Sequence, residues 1–135
     1  MSRSLRRAIA LALAALAPAC GAAVDHTATL ANLRDAIDAP VTGPEVRERH
    51  NQLVEDVVRG AALEGLRQHE VQERIGRGEQ CGARPLCADR GFRPTDWIYD
   101  VGRDPRDPQL PAGPTLIVGF DSAGIVDGTY FVTRR

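Results

Sequence analysis

The chain has 135 residues, of which 43% are hydrophobic and 26% charged, with a formal net charge of −1. That balance suits one globular domain and excludes a disordered or fibrous chain and a multidomain enzyme. All seventeen basic residues are arginine, and three of them fall within the first seven positions. The rest of the chain is therefore mildly acidic, which argues against a nucleic-acid partner, since phosphate backbones are met by a basic face.

The N-terminal segment reads as an address. Arg3, Arg6 and Arg7 form a basic stretch, and residues 8–16 (AIALALAAL) are apolar throughout. Nine residues at 1.5 Å rise span roughly 14 Å as a helix, too short for a bilayer core of about 30 Å. Ala17-Pro18-Ala19 then supplies small residues ahead of Cys20. Residues 1–19 are expected to be a secretory signal peptide. Leu16-Ala17-Pro18-Ala19-Cys20 resembles a bacterial lipobox, with Leu16 one place further from the cysteine than usual and Pro18 in place of a smaller residue. Two outcomes stay open: acylation of Cys20, or ordinary cleavage that leaves a free thiol. The cysteine count favours the first, because three cysteines in an exported chain leave one over after a single disulfide.

Residues 20–41 are small and polar and read mainly as a tether, with a short helix through Leu30, Leu33 and Ile37. The domain proper is expected over 42–135. Thr42-Gly43-Pro44-Glu45 suggests a helix start, with Thr42 capping, Pro44 in the first turn and Glu45 closing a capping box. Val46, Leu53, Val54, Val57 and Val58 follow at helical spacing as far as about residue 62. Residues 68–75 make a second, short helix with Val71 and Ile75 on one face, ended by Gly76 and Gly78.

Cys81 and Cys87 lie in a loop over 79–94, and in an exported protein such a pair is expected to form a disulfide, which for so short a ring contributes about 2 kcal/mol. Three strands are predicted next, over 95–101, 115–120 and 125–133, the first two with alternating apolar residues. A Pro-rich exposed loop, 102–114, joins the first two, and Gly124 turns the hairpin between the last two. The order helix-helix-strand-strand-strand predicts an α+β two-layer sandwich with helices on one face of a three-stranded antiparallel sheet.

At this point the chain resembles the SmpA/OmlA family, the small BamE-type outer-membrane lipoproteins. Gly65-Leu66, Glu70-Val71 and Ile75-Gly76 stand at the spacings of that family's helix motif, and Trp97-Ile98-Tyr99 matches its Trp-x-Tyr strand. The likeness covers about 62–133. Arg67 stands where the family has a capping Thr, Gly78 where it has Pro, and the 81–87 cysteine loop and the long helix from Pro44 are additions. The resemblance implies a non-enzymatic scaffold of envelope biogenesis, held at the membrane by a lipid on Cys20 and binding outer-membrane or other envelope proteins.

No nucleophile–base pair, metal set or cofactor motif is legible, so the chain is expected to be neither an enzyme nor a metal or cofactor binder. His50, beside the apolar stripe of the long helix, reads as a partly buried structural residue. Asp96, Asp100, Asp104 and Asp107, interleaved with Arg93, Arg103 and Arg106, read as a solvated rim. Trp97 and Tyr99 read first as core, with docking of a partner as their functional alternative. The outer face of the sheet and the Pro-rich loop are the expected binding surfaces. The competing function is a small secreted inhibitor or ligand-binding module on the same fold.

Overall fold

A computed structural model describes residues 24–133. The signal segment and Cys20 lie outside the described residues. Helices come first: α1 (Thr27–Asp38), α2 (Pro44–Arg59) and α3 (Gln68–Ile75). The two-residue strand β1 (Glu79–Gln80) follows, then a 3₁₀ turn (Cys81–Ala83) and the short helix α4 (Pro85–Asp89). Strands β2 (Trp97–Asp100), β3 (Thr115–Phe120) and β4 (Val126–Val132) complete a sheet of order β1-β2-β3-β4, antiparallel throughout. The α+β class and the helices-then-sheet order stand as expected, but the sheet has four strands instead of three. The extra strand was hidden because Glu79 and Gln80 are both exposed and polar, so no alternation marks them. Their backbone pairs with Ile98 and Trp97.

The stretch read mainly as a tether contains a core element. Leu30, Leu33 and Ala36 of α1 are buried in one cluster with Val54 and Val57 of α2 and Val71 and Ile75 of α3. Arg34 ties α1 to α3 by donating to the Glu73 carbonyl at 3.0 Å. Beyond α1 the chain makes an isolated parallel bridge to the segment after β2: Val41 N–H donates to the Arg103 carbonyl at 2.8 Å, and Arg103 N–H to the Ala39 carbonyl at 2.9 Å.

Helix α2 starts one residue later than its capping signal suggests. Pro44 occupies the first helical position, so Gly43 is the cap and makes no side-chain hydrogen bond. Thr42 is thereby one residue too early to reach the free N–H groups of the first turn. The helix closes with Gly60. Ala61 N–H then donates to the Val58 carbonyl and Ala62 N–H to the Val57 carbonyl, a Schellman pattern. The left-handed residue of that motif is Ala61, at φ +50°, in a position that glycine usually fills.

The sheet is covered on both faces. Trp97 and Tyr99 of β2, Leu116, Val118 and Phe120 of β3 and Val126 of β4 face the helices. Ile98, Ile117 and Val132 belong to a second cluster with Cys81, Cys87, Leu86 and Phe92. The segment from Cys81 to Phe92 is therefore a cap on the face that the two-layer expectation left open. Every residue of β3 is buried as a result.

The Pro-rich connection between β2 and β3 is a hairpin with a paired base. Val101 N–H donates to the Pro114 carbonyl and Ala112 N–H to the Gly102 carbonyl. Gly113 permits this closeness, because a Cβ there would collide with the Val101 carbonyl oxygen. The hairpin tip is exposed, as expected, and presents Leu110.

The strain at Ala61 is removable. The substitution Ala61→Gly is expected to raise stability by about 1 kcal/mol, because glycine accepts the left-handed conformation without the Cβ clash. Urea unfolding checks this; an unchanged or lower midpoint would show that the turn carries no such strain.

Candidate functional site

The sequence drew attention to Trp97 and Tyr99. Both are core residues. Trp97 is 4% exposed and packs edge-on against Phe120 at a centroid distance of 5.0 Å. The Tyr99 hydroxyl donates to the Gly76 carbonyl at 2.7 Å, fastening the end of α3 to β2. Burial raises the Tyr99 pKa well above its ordinary value of 10 and keeps the hydroxyl protonated as a donor. As a docking pair they offer almost no surface of their own.

The cap is the more informative region. Cys81 and Cys87 form the expected disulfide. Pro85 opens α4, whose five residues bring Cys87 back over the sheet. Two arginines clamp the cap to the strands. Arg84 donates to Glu79 at 2.7 Å and to Asp100 at 3.1 Å, and Asp100 also accepts from the Thr115 hydroxyl at 3.2 Å. Arg93 donates to Asp127 of β4 at 2.7 Å, and this pairing holds the Asp127 carboxyl below the usual carboxylate range.

Asp96, read from the sequence as part of a solvated rim, is instead 2% exposed. Its carboxylate accepts the Arg93 N–H at 2.9 Å and the Phe120 N–H at 3.2 Å, with the Arg93 Nε 3.3 Å away. A buried carboxylate is tolerable only when its oxygens are satisfied in this way. One signal was available: Arg93 and Asp96 stand three apart just before a strand, which suits a turn closed by an aspartate.

The outer sheet face is thus mostly occupied by the cap, which corrects the expectation that it is an open binding surface. What remains exposed there is Tyr130, 44% accessible, with its ring 5.2 Å from that of Phe92. Arg90, Arg93, Asp96 and Asp127 surround the two rings in a shallow cleft of about 470 Å³. A rigid aromatic pair ringed by arginine has the composition of an interaction hot spot. The sequence did not single out this pair, because Phe92 and Tyr130 are far apart in the chain and only the cap joins them.

The Pro-rich hairpin forms one wall of a second cleft, of about 430 Å³, against Arg47 and Asn51 of α2. Its base rests on His50, which is 7% exposed, beside Gly102 and Val41. The His50 Nδ1 has no hydrogen-bond partner among the described residues. Burial depresses the His50 pKa below 6.5, and the nearby Val101 backbone acts in the opposite direction. No group of three or more metal-ligating side chains occurs among the described residues, and no helix there is long and apolar enough to cross a membrane.

No protein-family model matches the chain, and neither a curated protein nor a solved structure matches it.

The buried histidine sets a pH dependence. Its folded pKa lies below its unfolded one, so the neutral ring is favoured by folding. Its contribution is full above about pH 6.5 and is lost as pH falls from there through the folded pKa. Urea midpoints measured from pH 7.5 down to 5 should fall more steeply for the wild type than for His50→Gln. Equal slopes, or a steeper one in the variant, would contradict the assignment.

Proposed function

We propose that the protein is a lipid-anchored component of the bacterial cell envelope that works by binding other envelope proteins as a non-enzymatic scaffold or assembly factor. The observation that carries this reading is the N-terminal run of three arginines, nine apolar residues and Cys20. The cysteine arithmetic supports it. The chain has three cysteines, and with Cys81 bonded to Cys87 the remaining one is Cys20, at the processing junction. A buried disulfide also fits an oxidising compartment. An acyl chain on Cys20 would hold the domain at the membrane surface, each buried methylene contributing about 0.8 kcal/mol.

The resemblance to SmpA/OmlA lipoproteins points to the same class, with outer-membrane protein assembly or envelope integrity as the process served. The surface best suited to a protein partner is the Phe92–Tyr130 pair, where the cap meets β4. It is rigid, because Phe92 N–H donates to the Cys87 carbonyl at 2.9 Å and Arg93 is fixed to Asp96 and Asp127. A rigid aromatic anchor loses little conformational entropy on binding.

Fractionation of cells producing the full chain and its Cys20→Ser variant tests the reading. The wild type is expected in the membrane fraction. The variant is expected either as a soluble exported product or as an uncleaved precursor. A wild type that is already soluble after export would overturn the anchor and bring forward the alternative, a secreted inhibitor or ligand-binding module. Co-purification of barrel-assembly proteins from detergent-solubilised envelopes would support the scaffold role, and loss of that association in Tyr130→Ala would place the contact at the Phe92–Tyr130 pair.

A further inference from the structure

His50 stands on α2 where three separate segments meet. It is 7% exposed, and its Nδ1 is one of two buried side-chain atoms without a hydrogen-bond partner among the described residues. Val41, from the link between α1 and α2, and Gly102, at the base of the Pro-rich hairpin, close over the ring. A Cβ on Gly102 would collide with both Val41 and the His50 Nδ1. The backbone passes there at a left-handed φ of +104°, which glycine accepts without strain.

Three backbone hydrogen bonds join the same segments. Gly102 N–H donates to the Ile37 carbonyl at 3.1 Å, Arg103 N–H to the Ala39 carbonyl at 2.9 Å and Val41 N–H to the Arg103 carbonyl at 2.8 Å. Together they form a clasp between the end of α1 and the hairpin. Val41 is buried beneath it but belongs to neither of the two core clusters.

The ring suits this place only as a neutral group. A neutral imidazole carries its proton on one nitrogen and leaves the other bare. Nδ1, set against Gly102 and Val41, is the nitrogen that can stay bare. Protonation turns it into a charged N–H donor in need of an acceptor. The nearby carbonyls of Ile37, Ala39, Gly102 and Arg103 already accept backbone N–H groups. A buried charge with no counter-group favours any opening that lets it reach water.

The surrounding charges give no relief. On α2, Arg47, Glu48 and Arg49 are exposed, and Arg49 acts against protonation of the ring. Arg47 also donates to the Ala112 carbonyl at 3.4 Å. At the end of α1, Asp38 pairs with Arg103 of the hairpin at 3.7 Å. Asp104 accepts the Arg106 N–H at 2.8 Å, and Asp100 of β2 is turned to the cap, toward Arg84 and Thr115.

From this geometry we infer that His50 is a pH-operated latch on the Pro-rich hairpin. Protonation at Nδ1 opens the clasp and frees Val41 and the hairpin base from α2, while the sheet and both core clusters stay folded. Opening breaks the three clasp hydrogen bonds and uncovers Val41, far less than global unfolding demands, so the proton is met by a local movement. Histidine is the side chain whose ordinary titration falls in this range. The hairpin forms one wall of the cleft against Arg47 and Asn51, so the low-pH form loses that cleft as well. The latch uses no residue of the lipid anchor or of the Phe92–Tyr130 surface, and it stands whatever the partner is.

Amide hydrogen exchange of the full chain between pH 7.5 and 5 tests the latch, with rates corrected for the intrinsic effect of pH. The Val41, Gly102 and Arg103 N–H groups report on the clasp, and those of Val71 and Val118 on the core. Clasp protection is expected to be constant above about pH 6.5 and to fall below it, approaching about tenfold per pH unit until the folded pKa is reached, the limit for uptake of one proton. Core amides should stay at least about tenfold better protected throughout, and low urea should speed core exchange without speeding the clasp, the mark of a local opening. His50→Gln is expected to abolish the pH slope of the clasp. The double variant His26→Gln, His69→Gln keeps His50 and is expected to retain the slope, so the test does not depend on the folding of His50→Gln. Clasp and core exchanging at one rate with one urea dependence would overturn the latch. So would a clasp with no slope below pH 6.5, a slope that survives in folded His50→Gln, or one lost in the double variant.

Discussion

The structure depends on burying β3 on both of its faces. A strand with Leu116, Val118 and Phe120 on one side and Ile117 on the other cannot leave either side to water. The helices meet the first demand in the ordinary way, with amphipathic faces laid over a sheet. The second demand is met by a segment too short and too polar to fold alone. A five-residue helix and a 3₁₀ turn have almost no intrinsic stability. What holds them is a covalent bridge, an arginine at each end paired to the sheet, and the buried carboxylate of Asp96. The disulfide removes disordered alternatives for the loop, and the ion pairs fix its placement over Ile98 and Ile117.

This arrangement connects the fold to its surfaces. The cap that shields Ile117 also carries Phe92 to Tyr130, so the same bridge that completes the core assembles the exposed aromatic pair. On the other face, the helices do more than bury Trp97. The turn before α3 aligns with the β3–β4 hairpin through Gly65, Leu66 and Gln68, and that contact shapes a cleft on the surface. The molecule therefore presents two chemically different surface depressions, one beside the Phe92–Tyr130 rings and one lined by Arg67 and Arg77.

The sequence carried the regular elements well, and the reasons are local. Val71 and Ile75 four apart, bracketed by glycines, defined α3 to the residue, and alternation in TLIVGF defined β3. The Asp121–Gly124 turn was legible because an aspartate closing on its own backbone and a left-handed glycine are both sequence-local devices. Three features were not legible. The pairing of β1 rests on backbone groups that have no side-chain signature. The packing of α1 depends on partners 20 to 40 residues away, so its modest apolar stripe reads as a tether until the rest of the core is present. Asp96 looks like any other aspartate of an acidic series, and only the approach of Phe120 from a later strand turns it into a buried clamp. The candidate sites share that difficulty, since each is assembled from segments distant in sequence.

The most direct test of the account is amide hydrogen exchange on the folded protein with the disulfide intact and after its reduction. If the bridge holds the cap against the outer sheet face, reduction should accelerate exchange at Ile98, Ile117 and Val132 by roughly thirtyfold, while Leu33 and Val57 in the helices change much less. Equal protection in the two states, or a uniform acceleration over strands and helices alike, would contradict it.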